Sequence, residues 1–239
     1  MPFYYYDPQS TMLYIALVLP ALLLSLWAQV RVKSAYSKMS RMYVSSGYTG
    51  AQAAAAVLRH YGITNVRIEV TGGRLSDHYD PRSNVIRLSE AVFNSKTVAA
   101  VGIACHEAGH AAQHAQNYTP IKVRNSIIKV STIGSYAGIP LALLGYFMGF
   151  GWLVYAGLGL YSMIAVFQLV TLPVEFNASR RAMQVIEETG LLRTDEEVRG
   201  ARKVLSAAAL TYVAALAVTL ANLLRFVLLF LGRGSSRRD

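Results

Sequence analysis

The chain is poor in charge and nearly free of cysteine. Only 15% of its 239 residues are Asp, Glu, Lys or Arg, whereas a soluble domain has roughly 25%. The single cysteine, Cys105, excludes an internal disulfide framework and fits a reducing compartment. The sequence also lacks a repeat with a period of about 20–50 residues and any long low-complexity stretch, so nothing indicates a repeat architecture.

What the chain has instead is hydrophobicity, at 54% of its residues. Apolar runs long enough to cross a bilayer predict an α-helical membrane protein with about four spans. We place the spans at residues 11–30, 131–148, 152–172 and 204–231, the last interrupted by Arg225. The net charge of +10 does not indicate a nucleic-acid partner, because the basic residues flank the spans as the positive-inside rule requires.

The charges also predict an orientation. Residues 1–10 contain no Lys or Arg, Tyr4, Tyr5 and Tyr6 suit a membrane interface, and the first span is followed by Arg31 and Lys33. A cleaved signal peptide has the reverse order, so we expect a retained anchor with its N-terminus outside. Residues 31–130 and 173–203 then lie in the cytoplasm. The basic tail, 232–239, lies outside if the fourth segment spans, and Arg225 either snorkels or marks a bend.

Local signals outline the segment between the first two spans. Thr49 is expected to cap a helix that Gly62 stops, and strands are expected at 66–70, 75–78 and 84–88, forming a small antiparallel sheet. A helix at 97–116 is expected to begin with Asn94 or Ser95 as its cap. Pro173 should close the third span, with a new helix over 174–190. The pairs Gly134/Gly138 and Gly145/Gly149 have a spacing that permits close helix contact.

The helix at 97–116 contains His106-Glu107-Ala108-Gly109-His110. A spacing of four residues places both imidazoles on one helix face, where they can bind one metal ion. Glu107 lies beside that face and can take a proton from a metal-bound water, whose pKa Zn²⁺ lowers to roughly 7. The pattern therefore indicates a zinc hydrolase.

A catalytic zinc needs a third protein ligand. His114 lies about 12 Å along the helix from His106, which is too far for one ion to bind His106, His110 and His114 together. Cys105 points about 100° away round the helix and suits a small buried position. His78, in the predicted sheet, stays open as a ligand. Glu175 is the preferred candidate, because it follows the third span on the same side of the membrane as the metal helix. A carboxylate at a membrane boundary is costly, which favours a functional role for it.

The His106–His110 motif and the segment 174–182 (VEFNASRRA) resemble the YugP-like neutral zinc metallopeptidases of bacterial membranes. The resemblance covers nearly the whole chain. It extends to the segments 76–82 and 84–89, to the arrangement of spans and to the residues that follow the first span. It implies a gluzincin-type site with His106, His110 and Glu175 as zinc ligands and Glu107 as general base. Proteases of related plan, such as HtpX, usually have an Asp four residues after the ligand Glu. Here Ser179 stands there, with Asn177 nearby, as the expected support for the ligands.

We therefore expect a multi-pass protein of the bacterial inner membrane with a small α+β zincin-like catalytic domain. It would be a zinc-dependent endopeptidase acting on membrane or membrane-proximal proteins, with the substrate backbone added to an edge strand. Candidates for contacts to substrate or transition state are His78, Tyr79, Arg180 and Arg181. A membrane-protein partner or a homo-oligomer is compatible with the sequence. The alternative function is a membrane scaffold or adaptor with a structural zinc site, against which the Glu107 carboxylate argues.

These expectations divide the chain into six segments. They are an N-terminal transmembrane anchor (1–30), a zincin-like catalytic region (31–130), a transmembrane hairpin (131–172), a helix carrying the third zinc ligand (173–203), a fourth membrane segment (204–231) and the basic tail (232–239).

Overall fold

The computed structural model describes residues 8–73 and 76–232. The three tyrosines at 4–6, the expected strand start at Leu75 and residues 233–239 of the basic tail lie outside the described residues. The chain forms two compact units. Of the described residues, the helical unit comprises 8–27, 123–170 and 212–232, and the sheet unit comprises 28–73, 76–122 and 171–211.

Helices dominate the described part of the chain. The helices are α1 (Pro8–Leu13), a π-helical turn (Tyr14–Val18), α2 (Leu19–Met39), α3 (Gly50–His60), α4 (Glu90–Phe93), α5 (Val98–Ala115), α6 (Thr119–Met148), α7 (Gly151–Thr189) and α8 (Asp195–Gly232). Among the described residues, four helical segments are long and apolar enough to cross a membrane: Thr11–Met39, Thr119–Met148, Gly151–Thr189 and Asp195–Phe230. The expectation of four spans is confirmed.

Two of the spans are longer and less interrupted than the sequence indicates. Pro173 does not close the third helix, since α7 continues without a break to Thr189, and the expected separate helix is wrong. A proline removes one backbone hydrogen bond, but helix packing around Val174 and Ala178, both fully buried, outweighs that loss. The fourth segment also shows no bend, because α8 is continuous past Arg225, whose guanidinium lies 5.1 Å from the centre of the Tyr14 ring.

Glycines allow α6 and α7 to pack closely within the helical unit. A Cβ on Gly138 would lie 2.8 Å from the backbone nitrogen of Tyr161, and one on Gly134 would collide with the carbonyl of Leu160. Gly145 is equally close to α7, so the expected contact is confirmed for three of the four glycines. Gly149 instead adopts a φ of +74° in the hairpin, a conformation that glycine accepts without strain.

The sheet unit contains a mixed sheet of three strands in the order β1-β3-β2. They are β1 (Arg67–Thr71), β2 (His78–Asp80) and β3 (Val85–Ser89). β2 pairs antiparallel with β3 across the turn, but β1 pairs parallel with β3, so the expectation of an antiparallel sheet is half wrong. A tight turn fixes only the pairing of the strands it joins, whereas the partner of β1 is chosen by tertiary packing.

The helix caps show where local signals suffice. Thr49 caps α3 in a reciprocal pair with Gln52, and Gly62 follows with a φ of +67°, as expected. The metal helix α5 is capped by Thr97, not by Asn94 or Ser95. The short helix α4 uses Asn94 as its own C-terminal cap, which moves the start of α5 along the chain.

The α6–α7 contact gives a matched pair of variants. In Gly157→Ala the new methyl group would meet Ala142 and the carbonyl of Gly138, whereas at Gly159 nothing lies within 4 Å. We expect Gly157→Ala to destabilise the protein by about 1–3 kcal/mol, as overpacking does. Gly159→Ala should be neutral or stabilising by up to about 1 kcal/mol. Thermal unfolding in detergent, followed by circular dichroism, measures the difference, and equal midpoints for the two variants would contradict the contact.

Candidate active site

Helix α5 runs through the core of the sheet unit and exposes only a narrow polar face. Ala104, Ala108 and Ala111 are buried, and their small side chains let neighbouring elements approach the helix. His106 and His110 project from the same face with ring centroids 4.7 Å apart. The side chains of His106 and His110 are 16% and 12% exposed, so the two rings are largely but not fully enclosed.

Helix α7 brings a carboxylate to this pair. The Oε2 atom of Glu175 lies 3.3 Å from Nε2 of His106 and 3.7 Å from Nε2 of His110, and Glu175 itself is 4% exposed. The ligand-capable atoms of the three residues all lie within 4.8 Å of one another. Two imidazole nitrogens and one carboxylate oxygen are a donor set that Zn²⁺ accepts, and three protein ligands leave a position open.

The approach of α7 to α5 depends on Gly109, within the motif. A Cβ at this position would lie 2.6 Å from the carbonyl oxygen of Ala178, far inside van der Waals contact. Ala178 is on the helix that carries Glu175. Because Gly109 has no side chain, this helix can come close enough for the Glu175 carboxylate to reach the histidines. The sequence motif alone does not predict this function for its glycine.

Glu107 lies next to the cluster, and a backbone group holds its carboxylate. The Tyr79 N–H of β2 donates a hydrogen bond of 3.0 Å to Oε2 of Glu107. Burial raises the pKa of the Glu107 carboxyl, against the opposing effect of the imidazoles of His106 and His110. A raised pKa makes this carboxylate a stronger base than an exposed glutamate.

The second nitrogen of each histidine has a hydrogen-bonding partner. Nδ1 of His106 lies 3.1 Å from the hydroxyl of Ser179, the residue four positions after Glu175. Nδ1 of His110 lies 3.0 Å from Oε1 of Gln113. Asn177 joins through Gln113, whose Nε2 donates to its Oδ1 at 3.0 Å. Sequence reasoning missed Gln113, although a glutamine three residues after His110 on the metal helix was a usable signal.

The other ligand candidates lie outside the cluster. Nδ1 of His114 lies 3.0 Å from the Tyr79 hydroxyl, and that hydroxyl donates a hydrogen bond to Oδ1 of Asn84. Cys105 is fully buried, and burial raises the pKa of its thiol. Both properties are typical of an unreactive cysteine with a structural role. His78 is exposed and its Nδ1 contacts the carbonyl of Ser76 at 2.7 Å.

The two arginines expected near the substrate have different environments. Arg180 is exposed and lines a groove of about 710 Å³ with Ser179 and residues of α8. Arg181 donates from Nε to Asn177 at 2.8 Å and from Nη1 to Gln116 at 2.6 Å. Its guanidinium also lies 5.6 Å from the centre of the Tyr61 ring, so its contacts are those of a structural anchor.

Comparison with known proteins agrees with this donor set. Residues 14–231 match the family described as "Putative neutral zinc metallopeptidase". The chain belongs to this family. It is also 48% identical over 220 residues to the "Putative membrane protease YugP" of Bacillus subtilis (strain 168), covering 92% of this chain and 97% of that one. No solved structure matches the chain.

Family and geometry together identify the cofactor as Zn²⁺ and place the protein in a membrane. The resemblance drawn from the sequence motifs is confirmed. The substitution that tests the geometry most directly is at Gly109, because it changes the distance between α5 and α7 without removing any donor atom.

We expect Gly109→Ala to lose most of its bound zinc, since the methyl group would push the Ala178 backbone away from α5. Gly102→Ala on the same helix is the control, because its Cβ would lie 3.5 Å from Ala201, an ordinary contact. Zinc per chain is measured by elemental analysis of the purified proteins. Full zinc occupancy in Gly109→Ala would show that the close approach is not required.

Proposed function

We propose that this protein is a membrane-embedded zinc endopeptidase that cleaves membrane or membrane-proximal proteins. The observation that carries the proposal is the convergence of His106, His110 and Glu175, from two helices, within 4.8 Å and beside a partly buried Glu107. A purely structural zinc site has no use for that extra carboxylate and is usually closed by a fourth protein ligand.

The three clustered residues would hold the ion through the two Nε2 atoms and a Glu175 oxygen. Once bound, Zn²⁺ would lower the pKa of a water to about 7 and polarise the carbonyl of the scissile bond. The burial of Glu175 supports this assignment, because a carboxylate with 4% exposure needs a cationic partner or strong donors to be stable.

Glu107 would act as the general base and then as the acid. Its carboxylate takes the proton of the attacking water and passes it to the leaving amine. The Tyr79 N–H that holds Oε2 fixes the direction of the carboxylate, leaving Oε1 for the water. The raised pKa suits the first of these roles, because it makes the carboxylate a better proton acceptor than an exposed glutamate.

The edge strand β2 would bind the substrate backbone. In an antiparallel pair, the N–H and C=O of one residue point to the same side of the strand. Since the Tyr79 N–H points to Glu107 and not to β3, its carbonyl also faces away from β3, toward the site. A substrate added along this edge would lie beside Glu107, and main-chain contacts would dominate its recognition. This arrangement of strand and metal helix supports a zincin-like catalytic domain.

The position of Glu175 in the chain supports substrates at or near the membrane. The residue lies two positions after Pro173 on α7, the helix that also contributes a membrane span. We assign residues 31–130 and 173–203 to catalysis, and the anchor at 1–30, the hairpin at 131–172 and the segment at 204–231 to the membrane. A peptide bond close to the bilayer surface is within reach of a site built on such a helix.

The mechanism predicts that substitutions of Glu107 and Glu175 have different effects on zinc binding. Glu107→Gln should keep one zinc per chain and lose at least about 100-fold in hydrolysis, the usual contribution of a general base. Glu175→Ala should lose most of the zinc together with the activity. Zinc is measured by elemental analysis, and hydrolysis is measured with casein as an unfolded protein substrate.

The control in this experiment is Glu187→Gln, an exposed glutamate on α7 that pairs with Arg202. It should retain both zinc and activity. Wild-type rates in Glu107→Gln would refute the general base, and full zinc in Glu175→Ala would move the third ligand elsewhere.

We also propose that the site faces the cytoplasm. Most of the Lys and Arg residues lie in segments 31–130 and 173–203, and the hairpin at 149–151 has none. This distribution is the charge bias of cytoplasmic loops.

Single cysteines test the orientation, because the native Cys105 is buried and should stay silent. With a membrane-impermeant maleimide on intact cells, Phe150→Cys in the hairpin should react. Arg82→Cys, on an exposed turn beside the sheet, should react only after the membrane is opened. Labelling of Arg82→Cys in intact cells would reverse the orientation.

A further inference from the structure

Gln113 is a polar side chain in the middle of the core. It lies on α5 one turn beyond His110 and has no exposed surface. A buried primary amide costs free energy unless its donors and acceptor are satisfied, so its three hydrogen bonds matter. Oε1 faces His110, and Nε2 donates to the Val174 carbonyl at 2.7 Å and to Oδ1 of Asn177 at 3.0 Å.

The orientation of this amide is fixed by its partners. The Val174 carbonyl can only accept, so it must face the NH₂ group of Gln113. The Asn177 atom must also be the oxygen, because Arg181 donates to it from Nε and a guanidinium has no acceptor. Both contacts place the nitrogen of Gln113 toward α7 and leave its oxygen toward His110.

The proton position on His110 follows from this orientation. The oxygen of Gln113 accepts, so Nδ1 of His110 must carry the hydrogen and donate it across 3.0 Å. In the neutral ring Nε2 then has the lone pair, on the side of the Glu175 carboxylate. His106 has no such restriction, because the Ser179 hydroxyl at its Nδ1 can donate or accept.

The same amide also connects the two helices that carry the ligands. Val174 directly precedes Glu175 in the chain, so the bond from Nε2 of Gln113 holds the α7 turn from which that carboxylate projects. Beyond Asn177, the guanidinium of Arg181 is held in turn by Gln116 and by the Tyr61 ring. A hydrogen-bond network therefore runs from the Arg181 guanidinium through Oδ1 of Asn177 and the amide of Gln113 to Nδ1 of His110, the ring nitrogen opposite the one that faces Glu175.

We propose that Gln113, oriented by Asn177 and Arg181, is a positioning residue that keeps His110 protonated at Nδ1 and holds Glu175 in register with it. This inference rests on the proposed ligand set of His106, His110 and Glu175. Partners of this kind, behind a metal-binding histidine, set the ring orientation and its basicity.

The first test is zinc affinity of the full-length protein in detergent, measured by competition with a chromogenic chelator. Gln113→Met keeps the length of the side chain but makes no hydrogen bond, and should weaken zinc binding about 10–100-fold. Asn177→Asp keeps an acceptor for both Gln113 and Arg181, so its affinity should stay close to that of the wild type. Gln184→Met, an exposed glutamine on α7, is the matched control and should change nothing.

The second test detects the Nδ1 proton of His110 directly. In zinc-loaded protein with ¹⁵N-labelled histidine, His110 should show a slowly exchanging Nδ1–H in the wild type and in Asn177→Asp, and a rapidly exchanging one in Gln113→Met. A purely structural role for Gln113 would leave that exchange unchanged. The wild-type spectrum decides even if Gln113→Met does not fold, since a His110 without an Nδ1 proton overturns the inference.

Failure of the inference can be told from failure of the proposed site with His110→Ala. If Gln113→Met binds zinc as the wild type does while His110→Ala loses it, the ligand set stands and the positioning role of Gln113 is wrong. If His110→Ala also binds zinc normally, the proposed ligand set itself is wrong and the inference falls with it.

Discussion

The close contact between α5 and α7 at Gly109 is the constraint on which the site depends. An ionised carboxylate buried as deeply as Glu175 costs several kcal/mol unless groups of opposite polarity surround it. A Zn²⁺ ion shared with His106 and His110 would be such a group, but only if α7 lies against α5 at backbone distance. A single missing methyl group, opposite the Ala178 carbonyl, makes that distance possible.

The polar residues behind the histidines convert this contact into a defined geometry. The core around α5 is formed by small and aliphatic side chains, which pack without direction. Gln113, Asn177 and Ser179 supply directional bonds instead, because each hydrogen bond fixes an angle as well as a distance. A buried polar network in which each member has a partner can fix one arrangement of ligands where apolar packing would accept several.

Continuity of the long helices links the site to the membrane part of the chain. α7 contains a membrane span and Glu175 in a single helix, without a loop at Pro173. The strand β2, at the edge of the sheet in the described residues, supplies the remaining side of the site through the Tyr79 N–H. The Glu175 carboxylate is thus carried by a helix that needs no separate linker to position it.

The sequence by itself determined the features that depend on neighbouring residues: the four apolar spans, the helical spacing of His106 and His110, and the Thr49 cap. The preference for Glu175 also came from the sequence, although only the tertiary structure placed its carboxylate beside the histidines, 65 or more residues away along the chain. The Thr97 cap of α5, the parallel β1–β3 pairing and the helix through Pro173 were not predicted by local rules. For the strand pairing and the proline, packing between distant segments outweighed a local preference of about 1–3 kcal/mol. Gln113 was missed because two of its three partners, Val174 and Asn177, lie on another helix.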